Sequence, residues 1–259
     1  MTRRSFLPAT AGMGFAGGLA AAAQKNQVFE LRYYYLRNSH DNQVQRTSDF
    51  LGKAHLPALQ RAGAIAAGCF ASVIAEQSPF LVTVASYASL AAMEAAMEKL
   101  SADGEYGKAA DAYHSAQGLG YVRTESSLLR AFDSIPAVEV PATDGQRAPR
   151  IFELRTYESN NPATLKRKIK MFDEGEIAIF RKTGLQPVFF GETIVGPKMP
   201  NLTYLLAFDS LAAREKNWQT FVGHPEWLKL RAQPGLSDAE IVSNISNSIL
   251  RPLPFSMIR

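Results

Sequence analysis

The sequence predicts an α+β protein: two tandem ferredoxin-like βαββαβ repeats whose sheets pair as an α/β-barrel-like pseudo-dimer within one chain. Three observations carry this prediction. First, Phe29-Glu30-Leu31-Arg32 returns as Phe152-Glu153-Leu154-Arg155, an offset of 123 residues, after which the register settles at 121. Gly63 then falls on Gly184, Leu81 on Leu202, Ser89-Leu90-Ala91-Ala92 on Ser210-Leu211-Ala212-Ala213, and Leu129-Arg130 on Leu250-Arg251. A duplication with a two-residue deletion after the first strand of the second copy accounts for both offsets. Second, each copy has the rhythm strand, helix, strand, strand, helix, strand. Third, the 259 residues are 46% hydrophobic and 20% charged, which suits two packed cores and excludes a disordered or multi-span membrane chain.

The elements follow in order. Val28 to Tyr35 alternates β-type residues and reads as a strand. Gln43 to Ala62 reads as a helix stopped by Gly63. Ala67–Ala75 and Phe80–Ser86 are strand-like runs separated by Glu-Gln-Ser-Pro. Ser89 is the expected N-cap of a second helix with Glu94 in its early turns. A less regular helical piece covers Glu105–Ala116, and a last strand runs from about Tyr121 to Phe132. The second copy repeats this as strand 150–158, helix 163–183, strands 187–195 and 202–208, helices 210–222 and 225–232, and strand 240–251. The repeats therefore span 27–132 and 150–252, with a tail at 253–259. Between them, residues 133–149 carry Pro136, Pro141, Pro149 and a Thr-Asp-Gly turn, and read as a linker. A four-stranded sheet with both helices on one face leaves the other face bare, and a second copy can cover it.

Residues 1–23 have the layout of an export signal. Arg3-Arg4-Ser5-Phe6-Leu7 precedes a weakly apolar, Gly/Ala-rich run ending Ala21-Ala22-Ala23, which resembles the bacterial twin-arginine (Tat) signal. The expected location is the periplasm or outside the cell. The alternative, an uncleaved anchor, has a short run of small side chains to work with, so no stable membrane span is expected in the mature chain. Gly12 to Gly17 spells G-x-G-x-x-G, but no strand precedes it, so it is discarded as a dinucleotide site. Arg3 and Arg4 are the only charges in this segment, and without them 28 basic groups fall to 26 against 24 acidic ones. With no Lys/Arg-rich block, a nucleic-acid partner is not expected. The single cysteine, Cys69, excludes an intrachain disulfide framework and reads as a small core residue.

The doubled F-E-L-R with a tyrosine close behind (Tyr34, Tyr157) resembles the start of a NIPSNAP domain. So do the helix end His55-Leu56-Pro57-Ala58-Leu59-Gln60-Arg61-Ala62-Gly63 and the stretch from Trp218 through His224-Pro225 to Trp227. The resemblance covers about 29–132 and 151–252. It implies the dimeric α/β-barrel superfamily, which includes small monooxygenases and haem-binding members, and brings no agreed catalytic set. The copies also differ from each other. The first has Asp103-Gly104 where the second has His224-Pro225, and His55 stands where the second has Glu176, so any site is expected to be asymmetric.

Alternation places Phe29, Leu31 and Tyr33 on one face of the first strand and Glu30, Arg32 and Tyr34 on the other, with Phe152 and Leu154 against Glu153, Arg155 and Tyr157 in the second copy. The expectation is that helices cover the Phe/Leu face, leaving the polar sets between the sheets. Buried charge demands a partner, so Glu30–Arg32 and Glu153–Arg155 should bridge. They serve either as a structural charge cluster or as a clamp for an anionic or polar ligand. The ligand-cavity candidates are then Glu30, Arg32, Tyr34, Glu153, Arg155 and Tyr157, with His55, Glu176 and His224 nearby. His40 is expected in a solvated turn, and His55 at a surface or cavity edge. No close-spaced ligand pair, P-loop or G-x-S-x-G is present, so neither metal nor cofactor is expected. The functional expectation is an exported protein binding a small polar or aromatic molecule between its two sheets. The alternatives are a cofactor-free monooxygenase- or isomerase-like enzyme and a protein-interaction module, and homo-oligomers remain open. Replacing Arg3 and Arg4 together with lysine is expected to trap the precursor in the cytoplasm in a fractionation assay. Continued export through the general secretory route would contradict the twin-arginine reading.

Overall fold

The computed structural model describes residues 26–142 and 150–259. The expected export signal, the Gly12–Gly17 motif and the Thr-Asp-Gly turn of the linker lie outside the described residues. Eight strands form one closed antiparallel barrel in the order β1-β3-β2-β8-β5-β7-β6-β4. The first repeat supplies β1 (Val28–Tyr35), β2 (Ala66–Ile74), β3 (Phe80–Tyr87) and β4 (Arg123–Ala131). The second supplies β5 (Ile151–Glu158), β6 (Gln186–Val195), β7 (Asn201–Phe208) and β8 (Asn244–Pro252). The two four-stranded sheets meet at two seams, β2 with β8 and β4 with β6, so no sheet edge is left open.

Each repeat's exit strand is followed by chain that runs along the other repeat. The Phe132 and Glu139 amides donate to the carbonyls of Phe190 and Val188. Across the pseudo-twofold axis, Leu253 and Met257 donate to Cys69 and Ala67. Phe132 and residues 133–139 of the expected linker therefore pack on the second sheet, held also by a two-pronged Arg181–Glu139 ion pair.

Helices cover the outer faces. The first repeat carries α1 (Gln43–Phe50), α2 (Leu56–Ala62), α3 (Leu90–Ala102) and α4 (Gly104–Ser115). The second carries α5 (Pro162–Met171), α6 (Ile177–Lys182), α7 (Leu211–Val222), α8 (Pro225–Arg231) and α9 (Asp238–Ile241). Ser89 and Ser210 cap α3 and α7 through the amides of Ala92 and Ala213, as their spacing predicts. Asn161 and Thr164 form a reciprocal capping box ahead of α5. Between α1 and α2 the helix widens to a π-helical segment at Leu51–His55, and the same happens between α5 and α6 at Phe172–Glu176. His55 and Glu176 end these two segments at equivalent repeat positions. The strand expected from residue 240 begins at Asn244, because Ser237 and Glu240 form a capping box that starts α9 first.

The expected facing of the sheets is reversed. Phe29, Leu31, Phe152 and Leu154 point into the barrel, where they join Phe70, Phe189, Val82, Leu205 and Ile258 in one core shared by both repeats. Glu30, Arg32 and Tyr34, with Glu153, Arg155 and Tyr157, lie on the outer faces under the helices. There Tyr34 joins the core beneath α1–α3, and Tyr157 the core beneath α5–α8. The physical reason is space and wetting. An eight-stranded barrel has an interior just wide enough for side chains to fill, and phenylalanines fill it dry. On the helix-facing side Glu30 and Arg32 pair with each other, and in the second repeat α7 brings Arg214 and Trp218 to Glu153.

Because the shared core spans both repeats, unfolding should be a single cooperative event. Both tryptophans, Trp218 and Trp227, belong to the second repeat, while Phe70 of the first packs against Phe152 with ring centroids 5.0 Å apart. Phe70→Ala is expected to cost about 3–5 kcal/mol and to move the tryptophan-fluorescence and circular-dichroism urea transitions together. A tryptophan transition left in place would mean that the repeats fold independently.

Candidate functional site

The sequence-derived candidates assemble as two clusters, one per repeat, beneath the helices and not between the sheets. In the second repeat, Glu153 is fully buried and saturated with donors. Arg155 and Arg214 approach it at 2.8 and 2.6 Å, and the Trp218 indole and the Asn247 amide at 2.8 and 3.0 Å. Burial raises its carboxyl, but these donors, Arg214 foremost, bring it below the ordinary carboxylate range. Arg155 also donates to the Tyr157 hydroxyl and lies over the Trp218 ring. Nearby, Lys168 is almost wholly buried, 2.9 Å from Glu176 and over the rings of Phe172 and Trp227. Burial opposes its charge, yet Glu176, Tyr157 and Asp238 together raise its pKa. Burial also lifts the Glu176 carboxyl, with Lys168 pulling the other way. At 2.9 Å we take the pair as ionised, because removing either charge would strand the other in an apolar site.

The first repeat is built from the same positions but is far less saturated. Glu30 receives one cationic partner, Arg32, at 2.6 Å. Met93 and Met97 occupy the repeat positions of Arg214 and Trp218, and Thr47 that of Lys168. Tyr87 stands where the second repeat has Phe208, and its buried hydroxyl has no hydrogen-bond partner among the described residues. His55 is buried, contrary to the expected surface or cavity-edge position, because the π-helical segment turns it inward onto Tyr106, whose hydroxyl is 3.1 Å from Nδ1. Burial, with Arg32 nearby, pushes the imidazole down to about 4. His40 is exposed, as expected. His224 joins neither cluster: it is the N-cap of α8, half-buried, with Nδ1 unpartnered. Cys69 is a core residue whose thiol burial pushes well up, which makes it unreactive.

Between the sheets there is nevertheless a cavity of about 340 Å³, at the end of the barrel opposite the phenylalanine core. Its two walls differ chemically. The first repeat contributes aromatic surface: Tyr33 and Tyr35 lie with rings nearly parallel at 5.8 Å, and Phe80 meets both edge-on. The second contributes Thr156, Thr193, Asn201, Thr203, Ser246 and Ser248. Two pairs on this wall are already joined, Thr156 with Thr203 at 2.9 Å and Thr193 with Asn201 at 2.6 Å. At the rim, Arg123 lies 3.9 Å from the centre of the Tyr35 ring and bonds Glu125 at 2.8 Å and Gln77 at 2.7 Å. None of these cavity residues was among the sequence-derived candidates. Alternation groups these residues, Tyr33 and Tyr35 with Phe29 and Arg123 with Glu125 and Ser127 on β4, but that face was expected under the helices and not between the sheets. Among the described residues, no group of three His, Cys, Asp or Glu side chains could hold a metal ion.

Residues 152–257 match the NIPSNAP family profile. Two solved structures share the barrel. One is a candidate monooxygenase from Fusobacterium nucleatum, 8% identical, with 88% of this chain and 93% of that one aligned at a TM-score of 0.56. The other, a candidate monooxygenase from Lactobacillus acidophilus, is 9% identical over 88% of this chain and 94% of its own, also at 0.56. A NIPSNAP-like domain protein from Burkholderia xenovorans is 22% identical over 41% of this chain and 88% of its own, at 0.37. No curated protein matches the chain. The likeness to the monooxygenase candidates is one of fold.

His55 makes stability pH-dependent. Its folded pKa, about 4, lies below the unfolded value near 6.5, so between these values the unfolded chain binds the extra proton. The contribution is complete above pH 6.5 and is lost as pH falls toward 4, up to about 3 kcal/mol at about 1.4 kcal/mol per pH unit. His55→Gln should flatten the dependence of Tm on pH across that window. An unchanged slope would show that folding does not depress the imidazole pKa.

Proposed function

We propose that this chain, whose second repeat matches the NIPSNAP family, binds a small polar or aromatic molecule in the cavity between its two sheets. The single observation that carries the reading is the cavity itself: about 340 Å³, aromatic on one wall and hydroxyl- and amide-lined on the other. That volume lies within the range of small-molecule sites, and the mixture of apolar surface with a few directed polar groups is what such sites use. The polar clusters under the helices take the structural role open to them from the start. In the second repeat Arg155, Arg214, Trp218 and Asn247 all spend donors on Glu153. Export through the twin-arginine route to the periplasm, with cleavage near Ala23, belongs to the same proposal and rests on the order Arg3-Arg4-Ser5-Phe6-Leu7 before a Gly/Ala-rich run.

A second reading, cofactor-free catalysis, is favoured by one observation. The first repeat holds a neutral imidazole, His55, against Tyr106 and close to Arg32, without the saturating donors of its counterpart. A neutral imidazole has a nitrogen free to take a proton, but burial and Arg32 make this one a weak base, so in this reading an anionic substrate must first offset the Arg32 charge. In this reading Glu30, Arg32 and Tyr34 orient that substrate beneath α1 to α3.

The cavity reading is tested by plugging it. Ser248 is half-buried, lines the cavity, and makes no hydrogen bond among the described residues, so Ser248→Phe fills space with little other loss. In a thermal-shift screen of a broad metabolite library, the wild type is expected to be stabilised by at least one compound class and Ser248→Phe by none of that class. If wild type and variant respond alike, or no compound stabilises the wild type, the cavity is not a binding site.

A further inference from the structure

Resting on the cavity reading, we propose that the ligand is an aryl carboxylate, with its ring against Tyr33, Tyr35 and Phe80 and its carboxylate at the Lys198 ammonium. Four charged side chains touch the cavity: Glu76, Arg123, Glu125 and Lys198. Arg123 and Glu125 neutralise each other at 2.8 Å, and Arg123 is further occupied by Gln77 and the Tyr35 ring. Glu76 is exposed on the β2–β3 hairpin and makes no contact that turns it inward. Lys198 is different. It sits on the β6–β7 hairpin at φ +60, the left-handed region that non-glycine residues rarely adopt, and its Nζ reaches the Ser246 hydroxyl at 3.3 Å. Ser246 faces the lumen, so this contact holds the ammonium over the mouth of the cavity. Among the described residues Lys198 has no carboxylate partner.

The remaining wall chemistry agrees with an acid. Thr156, Thr203, Thr193 and Asn201 spend hydrogen bonds on one another, while the hydroxyls of Ser127 and Ser248 make none among the described residues. Hydroxyls are donors that a carboxylate can use beside an ammonium. Opposite them, the aromatic wall offers ring surface for edge-on or offset contact with a planar group. The repeat comparison sharpens the point. Gln77 occupies the position equivalent to Lys198, and Phe80 that equivalent to Asn201. The duplication has therefore placed the cation and the aromatic surface on opposite walls, which suits a molecule with an aromatic end and an acidic end.

The experiment measures the affinities of the full mature chain for 3-phenylpropionate, its neutral amide and 3-phenylpropylamine by NMR titration, in the wild type and in Lys198→Gln. The expected result is acid binding about tenfold tighter than amide or amine in the wild type, with the advantage lost in Lys198→Gln. The comparison of acid with amide needs no variant, so it stands even if Lys198→Gln folds poorly. Equal binding of acid and amide, preference for the amine, or an acid preference that survives Lys198→Gln overturns the proposal while leaving the cavity reading intact. If none of the three binds, the aryl-carboxylate proposal falls. The cavity reading falls with it only if the Ser248→Phe screen also finds no ligand.

Discussion

Two four-stranded sheets sharing one dry interior constrain everything else in the molecule. Once Phe29, Phe70, Phe152 and Phe189 meet inside the barrel, the opposite face of each sheet must take the charged residues of the first strands, Glu30 and Arg32 in one repeat and Glu153 and Arg155 in the other. Strand alternation leaves no third place for them. Those charges are then covered by helices. In the second repeat α7 arrives with Arg214 and Trp218 as partners for Glu153, whereas in the first it is Arg32 of the same strand that pairs with Glu30. Breaking such a buried pair by removing one member costs about 3–5 kcal/mol, so the clusters are fixed features of the outer layers.

The same constraint explains the cavity at the Tyr33–Tyr35 end of the barrel. At the far end, the tail brings Ile258 into the lumen, where it packs above Gly68 in a space that a β-carbon there would crowd. Among the described residues the cavity end has no equivalent plug, and its lumen positions change from phenylalanine and leucine to tyrosine, serine and threonine. A duplicated chain can decorate the two halves of such a mouth independently, since each wall comes from a separate copy. The aromatic wall and the hydroxyl wall are the outcome, and an exact homodimer could not have produced it.

The π-helical segments show how duplication was conserved in geometry while the chemistry moved. Both copies insert the widened turn at the same position, ending on His55 in one and Glu176 in the other. In the second copy that position is locked to Lys168 and surrounded by Phe172, Trp227 and Tyr157. In the first it is a neutral imidazole among Phe50, Tyr106 and Arg32. Each chamber retains a buried polar atom without a hydrogen-bond partner among the described residues, the Tyr87 hydroxyl in the first and Arg155 Nε in the second, but only the second surrounds its carboxylate with four donor side chains.

The sequence alone determined the duplication, the order of elements and the pairing of Glu30 with Arg32 and Glu153 with Arg155, because each depends on local spacing. Strand periodicity, the serine caps at Ser89 and Ser210 and the glycine stop at Gly63 are written in neighbouring residues. Which face of each sheet looks inward was decided only by the tertiary structure. Both faces are buried here, one by helices and one by the other sheet, so alternation identifies two faces without saying which is which. The cavity was beyond reach for the same reason. Tyr33 and Phe80 meet Thr156 and Asn201 only when the barrel closes across two seams, β2 on β8 and β4 on β6, between strands far apart in the chain.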